Sequence, residues 1–206
     1  YNALSKSSRE DIDLLSLAPK INCNCLSEWM VQPIMTNLLI LGFPIFKTNN
    51  FENKDSFAAG PFMLFKKKSY DLIGGHLETY NEVVEDLALA KKIKSNNLKL
   101  NFSIAIDDIS LNMYRDFNAL VEGWSKNWFL GLDKNLLKSL SASLFVFFSY
   151  TFPWILFLIS VIQLTNTYNT RINFLTLLIS FISIISYGLK RLILKNKYNI
   201  PNDYWF

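Results

Sequence analysis

Apolar and polar residues alternate along the chain in segments of changing period. Residues 1–10 are polar and read as a loop or a helix end. A short apolar run follows, LLSLA, stopped by Pro19, and it predicts a buried strand over residues 13–17. Residues 20–27 read as a loop. From Trp29 to Phe46 the chain carries no charge for 18 residues, but Pro33, Gly42 and Pro44 interrupt it and Gln32, Thr36 and Asn37 lie inside. That pattern predicts a broken amphipathic segment, buried or at a membrane interface, rather than a span. A polar loop over 47–56 leads into an apolar strand, Phe57 to Phe65, which ends in Lys66, Lys67 and Lys68. Ser69 is expected to cap a short helix that Gly74 and Gly75 close.

Residues 82–94 have helical spacing: Leu87, Ala90 and Ile93 share a face, with Val83 one turn back. Acids come early and lysines late, which suits the helix dipole. Residues 98–106 then alternate as a strand, and a helix is expected to begin within 111–120. Trp124, Trp128 and Phe129 stand with Lys126, Lys134 and Lys138 as an interfacial belt. Two apolar runs follow. The first, about 140–162, is long enough for a bilayer, with a kink expected at Pro153; the second, 172–189, has 18 uncharged residues. A polar loop, 163–171, separates them. Basic residues before the first run and after the second outnumber the single Arg171 between them. The positive-inside rule therefore puts both the body of the chain and the C-terminus in the cytosol.

Composition adds little to this picture. Half the residues are apolar and the formal charge is +4. Basic residues cluster beside the apolar runs, not interleaved with aromatics on one solvent face, so the charge points to a membrane surface and not to nucleic acid. Cys23 and Cys25 alone cannot fill a zinc site, and they fit a reducing compartment. The opening YNALSKSSRE has no basic n-region and no apolar h-region, and reads as the start of a fragment.

Candidate chemistry concentrates between Ser56 and Asn96. The small residues Ala58, Ala59 and Gly60 allow close approach of a ligand or of another backbone. The lysine run is either a solvated turn facing anionic lipid or the place where one lysine meets a diphosphate. His76 is the sole histidine, either a structural hydrogen-bonding group or a ligand contact. Glu85 and Asp86 are either ordinary first-turn acids or the source of a base, with a pKa lowered by the helix N-terminus. Asp11 and Asp13 have the spacing of a metal pair, but they precede their strand, whereas parallel sheets bind ligands at strand C-termini. They read as a solvated strand entry. Arg115 or Lys126 is placed to face a phosphate leaving group.

Taken together, AAGPFMLFKKKSY, Gly74-Gly75-His76, Glu85-Asp86 followed by LALAKKIKSNN, the stretch EGWSKN, and the paired apolar runs resemble family 2 (GT-A type) membrane glycosyltransferases. The nearest pattern is that of enzymes glycosylating hopanoids, carotenoid acids and ceramide. Where the family has Gln-x-x-Arg-Trp, this chain reads Leu120-Val121-Glu122-Gly123-Trp124, sharing only the tryptophan. The resemblance implies an α/β fold: the C-terminal part of a GT-A nucleotide-sugar transferase domain, followed by a transmembrane helical hairpin. It divides the chain into a partial catalytic domain (1–125), an interfacial segment (126–138), two transmembrane helices (139–190) and a cytosolic tail (191–206). It implies Asp86 as catalytic base, and Gly60, Gly74, Gly75, His76, Glu85, Trp124 and Lys126 as substrate-binding residues. No metal ligand is expected in this chain; the Mg²⁺ or Mn²⁺ of the intact enzyme would be held by the missing N-terminal half. The implied partners are a nucleotide sugar, a lipid acceptor and membrane lipids, with no nucleic acid. The implied reaction is inverting sugar transfer to a lipid by a multi-pass protein of the bacterial inner (plasma) membrane, with the catalytic part facing the cytosol. The rival reading is a non-catalytic membrane-bound remnant, or one subunit of a split transferase. A small transporter is disfavoured, because neither apolar run carries a charge that would mark an ion path.

Overall fold

The computed structural model describes residues 2–43, 45, 47–132, 134–163 and 170–198. They form two compact units, 1–130 and 131–206. The expected polar loop at 163–171 and the tail at 191–206 lie in part outside the described residues.

The first unit is built on a short mixed sheet. Strand β1 (Leu14–Ala18) lies between β3 (Met63–Phe65), antiparallel to it, and β4 (Leu100–Ile104), parallel to it. A central strand is covered on both faces, so β1 reads as a nearly continuous apolar run. A second pair, β2 (Lys20–Asn22) and β5 (Ser110–Asn112), is parallel and extends the same two chain directions. Helix α1 (Asn2–Arg9) precedes β1, and α2 (Leu26–Gly42) follows β2. Helix α3 (Lys67–Leu72), a 3-10 turn (Gly75–Thr79) and α4 (Glu85–Ser95) connect β3 to β4. Helix α5 (Phe117–Gly131) closes the unit.

Of the face predicted for α4, Ala90 and Ile93 are buried on the sheet, Leu87 is partly buried against a second cluster, and Val83 lies exposed before the helix, while Leu89 takes the remaining core position. Leu89, Ala90 and Ile93 pack with Leu14, Ala58, Ile73 and Leu100 in one core cluster. Asn97 takes a left-handed conformation just past the helix and the Leu98 N–H bonds back to the Ile93 carbonyl, which ends α4 where the sequence predicts. A second cluster joins Ile45, Phe57 and Phe102, with the Phe57 and Phe102 rings edge to face at 5.1 Å.

Two turns of chain are fixed by polar side chains rather than by packing. Asn49 behaves like a piece of strand beside β4: its Nδ2 donates to the Phe102 carbonyl at 2.8 Å, and its Oδ1 accepts from the Phe102 N–H at 2.6 Å. Lys94, on α4, is buried and donates to the Asn50 carbonyl at 2.7 Å. Burial pushes its pKa below the ordinary lysine value, and the Asp55 charge partly opposes that shift.

Several expectations change. The strand expected over Phe57–Phe65 is formed only at Met63–Phe65. Its first half is held as irregular backbone by Ser16, as described below, and Pro61 has no N–H for a ladder. The helix start expected within 111–120 falls at Phe117, but the window's first residues are strand, because Ser110–Asn112 pair with β2. Residues 20–27, expected as a loop, contain β2. Ser69 does not cap α3: Lys66 occupies the N-cap position. The segment expected to break at Pro33 is one helix of 17 residues with Pro33 inside it.

In the second unit, α6 (Leu136–Val146), a π-helical turn (Phe147–Thr151) and α7 (Phe152–Gln163) run on as one helix, Leu136–Gln163. At 28 residues it is long and apolar enough to cross a membrane. Most of its large apolar side chains are exposed. Helix α8 (Thr170–Tyr198) contains a shorter apolar run, Asn173–Leu189. Helices α7 and α8 pack antiparallel: Ser160 bonds Thr176 at 2.9 Å, Phe157 stacks on Phe181, and Tyr150 stacks on Tyr187 at 5.0 Å. Buried Ser160 and Ser180 supply the small polar surface that lets such helices approach. Where a kink is expected at Pro153, the helix runs on, with a π-helical turn just before the proline. Proline has no N–H to give the carbonyl of residue 149, and the Tyr187 hydroxyl donates to that Ser149 carbonyl instead.

Asn49→Ala removes both partners of Phe102 at the edge of β4. It is expected to destabilise the protein by roughly 1–3 kcal/mol, read as a lower unfolding midpoint in detergent. Lys47→Ala, an exposed change in the same turn, should leave the midpoint within about 0.5 kcal/mol.

Candidate functional site

The carboxylate of Asp86 sits at the front of α4 and is half-buried. Its Oδ2 accepts the backbone N–H of Gly60 at 2.9 Å, and its Oδ1 accepts the N–H of Leu87 at 2.8 Å. The Gly60 N–H is aimed by its neighbour. Ser16, fully buried in β1, accepts the Ala59 N–H at 2.8 Å and faces the Ala59 carbonyl at 3.1 Å. One hydroxyl thus grips both amide groups of the residue preceding Gly60. A Cβ on Gly60 would lie 3.1 Å from Asp86 Oδ2, so the absence of a side chain is what lets the carboxylate come so close.

The lowered pKa expected for Asp86 is corrected. Burial is the largest influence and raises it above the ordinary carboxylate value. The N–H groups of Leu87 and Gly60 pull it down, and the negative charge of exposed Glu85 pushes it up again. Loss of water outweighs the helix N-terminus here.

Gly74 and Gly75 both have positive φ, +77° and +55°. A Cβ on Gly75 would lie 2.5 Å from the Tyr70 ring, and one on Gly74 would lie 2.3 Å from Glu78. The double turn therefore needs glycine for conformation and for space. It brings His76 back onto Tyr70: the phenol oxygen is 2.6 Å from His76 Nδ1 and accepts the His76 backbone N–H at 3.0 Å. His76 itself is exposed. Glu78 reaches across to Lys92 on α4 at 3.1 Å, so the 3-10 turn is tied to the helix that carries Asp86.

Trp124 belongs to another cluster. Its Nε1 donates to Gln32 Oε1 at 3.2 Å, and its ring lies 6.4 Å from that of Tyr114. Gln32 also donates toward Met113 Sδ at 3.4 Å. Gly123 leaves room for the Tyr114 ring, which a Cβ would meet at 2.5 Å. One turn before Gln32, Glu28 accepts the Asn24 N–H at 2.8 Å through Oε2, while its buried Oε1 has no partner. Lys126 is exposed on α5.

The structure thus brings Gly60 to Asp86 and gives Gly74, Gly75 and His76 one shared turn, while Trp124 keeps separate partners. Sequence reasoning missed Ser16, Tyr70, Asn49 and Glu28. A single serine in an apolar strand was the available signal for Ser16.

Asp11 and Asp13 do not fit a metal. Lys66 Nζ meets Asp11 at 2.5 Å, which holds that carboxyl below its ordinary value. Asp13 accepts the Ser69 hydroxyl at 2.5 Å and the Lys99 N–H at 2.8 Å, tying α3 and β4 to the start of β1. Both Asp13 oxygens and Asp11 Oδ1 already face hydrogen-bond donors. Among the described residues, no cluster of three or more His, Cys, Asp or Glu could hold a metal ion. Of the lysine run, Lys66 is paired with Asp11 and Lys67 with Asp71, while Lys68 is exposed.

A membrane-associated α/β domain with a half-buried acid at a helix start is the class these features define. Comparison with known proteins adds a distant relationship. Over 95 residues, 46% of the chain, it is 27% identical to 4,4'-diaponeurosporenoate glycosyltransferase of Staphylococcus aureus strain USA300, and the proteins of strains NCTC 8325 / PS 47 and Newman match equally. The matched residues span about a quarter of those relatives' length. No family model matches the chain. No solved structure matches it.

The raised pKa of Asp86 has a consequence for stability. The native state holds the proton more tightly than the unfolded chain, so stability falls as pH rises from the ordinary value of 3.8 through the raised one. The wild-type unfolding midpoint is expected to fall as pH rises through that window, and Asp86→Asn to lack this part of the pH dependence, read from thermal unfolding across the pH range. Ser16→Ala leaves the Ala59 amides unheld and is expected to cost roughly 1–3 kcal/mol, read from unfolding midpoints in the same detergent.

Proposed function

We propose that the chain is the acceptor-side part of a membrane glycosyltransferase that moves a sugar from a nucleotide sugar to a lipid at the cytosolic membrane face, with inversion. The observation that carries this reading is Asp86 itself, a carboxylate held by Gly60 and Leu87 and moved by burial toward a stronger base. The distant relationship to a carotenoid glycosyltransferase and the apolar helix Leu136–Gln163 support it.

In this reading a lipid hydroxyl attacks the anomeric carbon. The new C–O bond forms as the bond to the nucleotide diphosphate breaks, and the hydroxyl proton passes to Asp86. Glu85 supplies negative charge beside the base. Gly60 orients the carboxylate, and the turn Gly74-Gly75-His76 contacts substrate. Trp124 and Lys126 line the path to the acceptor. Residues 1–125 act as the partial catalytic domain, and 126–138 as the interfacial segment. Residues 139–190 supply two spans, the second through Asn173–Leu189, and the tail 191–206 is cytosolic. The protein is then a multi-pass protein of the bacterial inner membrane. Any Mg²⁺ or Mn²⁺ is bound by residues outside this chain.

The second reading is a remnant or one subunit of a split enzyme. Membranes from cells expressing the full-length gene product are incubated with radiolabelled nucleotide sugars, and label is counted in extracted lipid. Wild type is expected to label lipid, and Asp86→Asn to lose roughly 100-fold or more, the scale of a lost general base, at equal protein level. Equal label in both rejects Asp86 as base; no label with any donor favours the second reading.

A further inference from the structure

The contact between Tyr70 and His76 contains more information than a simple hydrogen bond. The phenol oxygen accepts the His76 backbone N–H at 3.0 Å and lies 2.6 Å from His76 Nδ1. A phenol has one proton to donate. With its oxygen already receiving an N–H, donating that proton to Nδ1 satisfies both groups. The opposite arrangement would point two N–H donors at one oxygen and leave the phenol proton unused. Nδ1 is then the acceptor, and the ring proton is on Nε2. The geometry is built for this contact: Gly75, at φ +55°, has no Cβ to strike the Tyr70 ring, and Phe65 packs edge-on to Tyr70 at 5.2 Å. His76 is exposed, and with Nδ1 facing Tyr70 the other ring nitrogen, Nε2, is the one left to meet a ligand.

We infer that Tyr70 is a positioning residue that fixes His76 as a neutral Nε2–H donor, and that this N–H takes a phosphoryl oxygen of the substrate. A ring held in this tautomer by Nδ1 donates at Nε2; it neither accepts a substrate proton there nor ligates a cation. An exposed ring N–H suits an anionic acceptor oxygen, and Lys68, exposed on the helix that carries Tyr70, adds a positive charge there. The other lysines are balanced: Lys66 stands against Asp11 and, at 3.9 Å, Asp13, Lys67 against Asp71, and Lys92 against Glu78. The ligand half of the inference rests on the sugar-transfer reading; the tautomer half does not. The phosphoryl oxygen belongs either to the donor diphosphate or to a lipid phosphate.

His76 is the chain's one histidine, so ¹⁵N-histidine labelling gives a single imidazole. Long-range ¹H–¹⁵N spectra of the full chain in micelles are recorded at about pH 8, above the ordinary imidazole pKa of about 6.5. The expected pattern is a protonated Nε2 and an unprotonated Nδ1 in wild type, and a mixture of tautomers in Tyr70→Phe. Protonated Nδ1, or a mixture, in wild type overturns the lock, and that result does not depend on whether Tyr70→Phe folds. Inorganic diphosphate and a short-chain phosphatidic acid are then titrated separately. A shift of the Nε2–H with diphosphate alone assigns the donor; a shift with phosphatidic acid alone assigns the lipid. No shift with either overturns the ligand assignment. A negative lipid-labelling assay beside a positive titration rejects the enzymatic reading and keeps the binding site.

Discussion

The Ser16 hydroxyl, buried at the middle of the three-stranded sheet, holds the part of the chain on which the proposed chemistry depends. It grips the N–H and carbonyl of Ala59, and through them sets the direction of the Gly60 N–H and so the seat of the Asp86 carboxylate. The segment it holds could otherwise have continued the β3 ladder as strand. A buried amide with no partner costs about 1–3 kcal/mol, so a hydroxyl that serves both groups at once is enough to keep this stretch irregular. The rest of the unit is arranged around that choice. Helix α4 packs Leu89, Ala90 and Ile93 on β1 and β4, and this brings its first turn to Gly60.

Polar side chains fill structural roles throughout this unit where strands are short. Asn49 closes the edge of β4, Lys94 ties down the turn at Asn50, and Asp13 joins β1 to α3 and β4. Helix α2 carries the same idea furthest. Its most buried residues are Glu28 and Gln32, at 1% and 0% exposure, while Leu26 and Leu41 are 76% and 74% exposed. An amphipathic helix packed on a core by its apolar face would reverse that order. The polar groups of α2 face the protein interior, where Gln32 and Glu28 find the partners Trp124, Met113 and Asn24.

The second unit handles a local defect in a similar way. Pro153 deprives one carbonyl of its helical partner in the middle of an apolar helix, where water is scarce. The π-helical turn and the Tyr187 hydroxyl meet that need from within the protein. The same tyrosine stacks on Tyr150, so the repair also fastens α7 to α8.

The sequence by itself determined the features that depend on local periodicity and length. These are the buried run of β1, a helix at α4 ending by Asn97 with Ala90 and Ile93 inward, the glycine turn before His76, and an apolar helix of membrane length. Each follows from the order of neighbouring residues, because turns of helix, strand alternation and positive-φ glycines are set within a few positions. The contacts that define the site were decided only by the tertiary structure. Asp86 meets Gly60 across 26 positions, Ser16 meets Ala59 across 43, and Trp124 meets Gln32 across 92. No local pattern encodes those distances. The sign of the Asp86 shift followed suit: helix position alone points down, and the burial created when α4 packs on the sheet turns it up. Pro33 shows the same limit, since a proline that would break an isolated helix is held inside α2 once its neighbours are packed.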